Sequence, residues 1–112
     1  MLRTHWLSEA KLELLDIVRW YDNQSNGLGG EFLDELEPIL ERVRKTPLDF
    51  PKWEFAPRRH DVRRASLNRF PHRVMFEVQG DEVWIAAIQH PSRSPKYWIR
   101  RLRQIRPSKD SE

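Results

Sequence analysis

The sequence predicts an α+β domain: an N-terminal strand, a helical hairpin, a three-stranded antiparallel meander and a short C-terminal helix, with both helices on one face of the sheet. Three observations predict it. Two amphipathic segments with helical spacing flank a breaker-rich stretch, Asn23 to Gly30 (NQSNGLGG). Three β-prone runs follow in the second half, one of them strictly alternating. A fourth short run, Leu2 to Leu7, opens the chain.

Taken in order, Leu2 to Leu7 reads as a strand with Leu2, Thr4 and Trp6 on one face. Ser8 is the expected N-cap of a helix from Glu9 to about Asn23, with Ala10, Leu14, Ile17, Val18 and Tyr21 as its buried stripe. The second helix is expected from about Glu31 to Lys45, burying Phe32, Leu36, Ile39, Leu40 and Val43, with Pro38 bending or breaking it. Residues 46–60 form a loop with three prolines, held by its aromatics. Val62 to Leu67, Arg73 to Gln79 and Glu82 to Gln89 read as strands. Val74, Phe76 and Val78 alternate with Met75, Glu77 and Gln79, and Gly80-Asp81 makes a tight hairpin. Pro95 to Arg106 is expected to be a short helix with Tyr97, Trp98 and Leu102 inward. Pro107 to Glu112 reads as a frayed tail, leaving one domain over residues 1–106.

Composition limits the function. A chain of 112 residues supports one modest core, enlarged here by five Trp and five Phe. No run is long and apolar enough to span a bilayer and the start lacks the pattern of a signal peptide, so no membrane role is expected. The absence of cysteine excludes disulfides and thiolate chemistry and fits the cytoplasm. His5, His60, His72 and His90 have no metal-ligand spacing, so neither metal nor cofactor is expected. Charge is unevenly divided: residues 1–57 hold 7 basic and 11 acidic side chains, residues 58–112 hold 13 and 6. A basic half favours a polyanion or an acidic protein partner.

The stretch Val83 to Tyr97 (VWIAAIQHPSRSPKY) concentrates the chemistry. A β-prone run ends in a polar cluster of His90, Arg93, Lys96 and Tyr97, where a strand end can hold a base, cations and a phenol within reach of one substrate. The indole side chains Trp6, Trp20, Trp53 and Trp84 read as core or loop anchors. Glu9, Glu13, Asp16 and the acidic residues from Asp34 to Glu41 read as solvated helix faces.

In three segments the chain resembles the RelE/ParE superfamily of bacterial type II toxins. They are EAKLELLDIVRWYDNQSNGLGGEFLDELE in the hairpin, LNRFPHRVMFEV at the entry to the third strand, and IAAIQHPSRSPKYW at the end. The resemblance implies a growth-inhibiting toxin silenced by a cognate antitoxin, acidic, whose C-terminal segment folds on the toxin. Two targets divide the superfamily: RelE-like members cut messenger RNA on the ribosome without a metal, and ParE-like members, some called plasmid-stabilisation proteins, poison DNA gyrase. By resemblance, Arg64 stands where RelE-like enzymes carry a basic residue, Arg73 matches the arginine that stabilises the scissile phosphate, and Tyr97 matches the tyrosine that stacks on a base. Ser66 and Pro91 stand where a lysine and an arginine are expected, with His90 and Arg93 beside the latter. Cleavage by 2′-hydroxyl attack needs a proton acceptor and cations for the developing charge. Arg64, Arg73, His90, Arg93 and Tyr97 are therefore the candidate site, and the two lost cations favour gyrase, or a target still to be assigned, over RNA; a non-toxic, degenerate member that only binds its antitoxin is the third reading.

Overall fold

In a computed structural model of the chain, residues 2–94 and 96–105 are described. Strand β1 (Arg3–Trp6) leads into helices α1 (Ser8–Gln24) and α2 (Leu28–Lys45), followed by strands β2 (Val62–Ser66), β3 (Arg73–Gln79) and β4 (Glu82–Gln89). Short 3-10 turns occupy Pro47–Asp49 and Ile99–Gln104. The sheet order is β1-β4-β3-β2: the meander is antiparallel as expected, and β1 lies parallel to β4, Arg3 opposite Glu82 through Trp6 opposite Ile85. Among the described residues no helix is long and apolar enough to cross a membrane.

Two cores flank the sheet. On the helix side, the expected stripes of α1 and α2 pack on Ala65, Val74, Phe76, Val83, Ile85 and Ile88. On the opposite side, Met75 and Ala87 meet Trp53, Trp98, Leu102 and Ile105, which fold the proline-rich loop and the chain's last turn onto the sheet. Trp53 and Trp98 stack with ring centroids 4.6 Å apart. Along β3 the side chains alternate between these cores.

Several boundaries differ from the sequence reading, each for a local reason. Ser8 is not the cap of α1. Buried Leu7 holds that position in extended conformation, its carbonyl accepts the Ala10 and Lys11 N–H groups, and Ser8 is already helical. Helix α2 starts at Leu28 rather than Glu31, because Gly27 turns the chain at φ +88° and Gly29 lies inside the helix. A Cβ at Gly29 would stand 2.5 Å from the Val18 carbonyl oxygen, and its N–H donates to Asp22 Oδ1 at 2.8 Å, so the helices touch backbone to backbone there. Pro38 does not break α2, which runs on to Lys45. The expected terminal helix is a 3-10 turn beginning at Ile99, its N–H groups bonding three residues back. Pro95, where that helix was expected to begin, and the 106–112 tail lie outside the described residues.

The strand ends set up the functional region. Among the described residues no strand lies beside β4 on the β1 side beyond Ile85, because the chain has already turned at Leu7 into α1. There β4 also carries a bulge: Met75 faces Ala87 and Phe76 faces Ile85, so Ala86 is the extra residue. The open edge leaves backbone groups that need partners.

Candidate functional site

Those partners are two side chains. Arg101 donates to the Ala86 carbonyl at 3.1 Å, and Glu13 accepts the Ile88 N–H at 3.1 Å. The pair also closes on itself, Arg101 donating to both Glu13 oxygens at 2.8 and 3.0 Å. Tyr97 adds its hydroxyl to Glu13 Oε2 at 2.7 Å. Arg93 lies 3.6 Å above the Tyr97 ring and 3.9 Å from the same carboxylate. Glu13 is thus a buried junction, its side chain 15% exposed, and not the solvated helix-face residue expected. Burial, then the Glu13 bond, hold the Tyr97 phenol well above the ordinary tyrosine range, so it remains a protonated donor.

The five candidates divide between the two sheet faces. His90, Arg93 and Tyr97 come together with Glu13, Asp16 and His72 in a recess of about 170 Å³ at the end of β4, on the helix side. Arg64 and Arg73 do not line it. Arg64 is in register with Met75, and Arg73 with Ser66 and Gln89, all on the face opposite the helices. Arg64 reaches Glu54 of the loop at 3.2 Å. These residues do not form a single positive concavity: the recess holding His90 and Arg93 has Glu13 and Asp16 in its wall, and Arg64 and Arg73 are across the sheet.

Beside the recess opens a larger hollow of about 530 Å³, lined by Asp16, Trp20 and Tyr21 of α1, Pro71 and His72 before β3, and His90 after β4. Tyr21 is a fixed wall, stacked on Phe32 and edge-on to Phe70. Trp20 is 57% exposed, a correction to its reading as an anchor. His72 is buried, 4.9 Å from the His90 ring, and its Nδ1 has no partner among the described residues. Burial, and secondarily the neighbouring His90, push its pKa down to about 4, so it is neutral at physiological pH. The His90 Nδ1 accepts the Ser92 N–H at 3.0 Å, fixing the ring in the turn after the strand. Among the described residues no cluster of three or more His, Cys, Asp or Glu side chains is placed to hold a metal.

The sequence reading missed Glu13, Asp16, Trp20 and His72. One signal was present: Glu13, Ile17 and Trp20 follow at four and three residues along the edge of the apolar stripe, so they border the core rather than oppose it.

With this geometry in place, comparison with known proteins is decisive at the family level. The family model for the ParE toxin of the type II toxin–antitoxin system parDE matches residues 5–95. The chain belongs to the ParE toxin family. The match takes in both helices, strands β2 to β4 and the second half of β1, and places this chain among type II toxins, whose systems pair a toxin with an antitoxin. A chain of the chromosomal ParDE toxin–antitoxin system from P. aeruginosa superposes with a TM-score of 0.69 at 20% identity, over 80% of this chain and 96% of that one, a likeness of fold. No curated protein matches the sequence significantly.

Proposed function

We propose that this ParE-family toxin arrests growth by binding DNA gyrase, without chemistry of its own, and that a cognate antitoxin with an acidic C-terminal segment silences it. The observation that carries the binding reading is the junction at Glu13. It engages Tyr97, Arg101 and Arg93 with one carboxylate, where RNA cleavage needs free cations facing a phosphate. Arg73 and Arg64, the other cations expected to serve a phosphate, lie across the sheet from His90. An acidic antitoxin segment suits that opposite face. That face carries Arg64 and Arg73, while α1 and α2 on the other side together carry 9 acidic and 5 basic side chains.

Inducible expression with and without the antitoxin, read out by plasmid supercoiling and by the integrity of ribosome-bound message, tests the reading. Lost supercoiling with intact message is the expected result. Message cleavage abolished by Arg73→Ala would replace it with the RelE-like endonuclease reading.

A further inference from the structure

The hollow between α1 and the end of β4 has the chemistry of a site for a cation on an apolar stem. Its walls are the exposed indole of Trp20, the phenol ring of Tyr21 and the ring of Pro71. Its polar side chains are Asp16, His72, His90 and Ser92. Asp16 makes no ion pair or hydrogen bond among the described residues, and His72, 6% exposed, keeps an unpartnered ring nitrogen. Arg93, in the adjoining recess, is committed to Glu13 and the Tyr97 ring.

We propose that this hollow receives an arginine side chain, flanked by an apolar residue, from a polypeptide partner: the guanidinium meets Asp16 and stacks on Trp20, and the neighbouring apolar side chain fills the space against Tyr21 and Pro71. Arginine fits better than lysine, because its planar group stacks on indole and forks onto a carboxylate. A volume of about 530 Å³ accommodates the two side chains together. The charge around the site agrees, since α1 and α2 together carry 9 acidic and 5 basic side chains. The inference goes beyond the gyrase reading and stands apart from it: it concerns the helix side and assigns no target.

Benzoyl-arginine amide, which joins an aromatic group to an arginine, is the probe, followed by amide and indole NMR shifts of the full chain. We expect millimolar or tighter binding, with shifts centred on Trp20, Tyr21 and His90. The citrulline counterpart, which lacks the charge, and the Asp16→Asn variant should each weaken binding about tenfold or more. Trp20→Ala should do likewise. Asp16 and Trp20 are exposed, so both variants keep the fold, checked by their unperturbed spectra. No binding at millimolar probe, shifts centred elsewhere, or equal affinity for the citrulline compound would overturn the proposal. Its failure leaves the supercoiling result untouched, and the reverse also holds.

Discussion

At the scale of single residues, Glu13 and His72 do opposite things with buried polarity. Glu13 pairs with Arg101 and satisfies the Ile88 backbone N–H, so its loss strands several partners together. Glu13→Ala is expected to cost about 3 kcal/mol, the lower end for breaking a buried ion pair because the site is partly open. Urea unfolding followed by tryptophan fluorescence measures it. His72 is buried neutral. Its folded pKa of about 4 lies below the value near 6.5 of an unfolded histidine, so the unfolded chain binds the extra proton between them. Stability is therefore full above pH 6.5 and falls as the pH drops toward 4, by on the order of 2 kcal/mol. Urea midpoints across that interval check this, and His72→Phe, which keeps a ring against Phe32 and Tyr21, should flatten the slope.

At the scale of elements, periodicity made both helices and all four strands legible, because each buries one stripe or alternates between two cores. Their ends were not legible, because tertiary contacts decide them. Gly29 reads in sequence as a breaker, yet it is helical because α1 passes too close for a side chain. Gly29→Ala is expected to destabilise by about 1–3 kcal/mol, since the clash is with the Val18 carbonyl and not a movable side chain. Gly30→Ala, with nothing within 4 Å of its Cβ, should instead be neutral or stabilising. Thermal unfolding of the two variants side by side makes the comparison. The site was half legible for the same reason. His90, Arg93 and Tyr97 follow one strand end closely and so come together, whereas Glu13 and Trp20 join them only once α1 lies across β4.

At the scale of the whole molecule, the chain's uneven charge follows its elements: α1 and α2 carry 9 acidic and 5 basic side chains, while Arg64 and Arg73 lie on the sheet face away from them. Association of an acidic antitoxin segment with that face should weaken as salt rises, because its charges are screened. Titration calorimetry at two ionic strengths tests this, and Arg73→Ala should lower the salt dependence while leaving toxicity intact if the gyrase reading holds.

The parallel seat of β1 against β4 also orders events during synthesis. The first strand made is the last to find its neighbour, since Arg3 meets Glu82 and Trp6 meets Ile85. A nascent chain that has passed the hairpin of helices still has no place for its own beginning. Only when the ribosome has released residues through Gln89 is there a β4 to receive β1, and Arg101 must follow before Glu13 has its partner. The sheet and the junction beside it are therefore completed only after residues through Arg101 have emerged, so a chain cut short before Glu82 is unfinished at β1 as well as at β4.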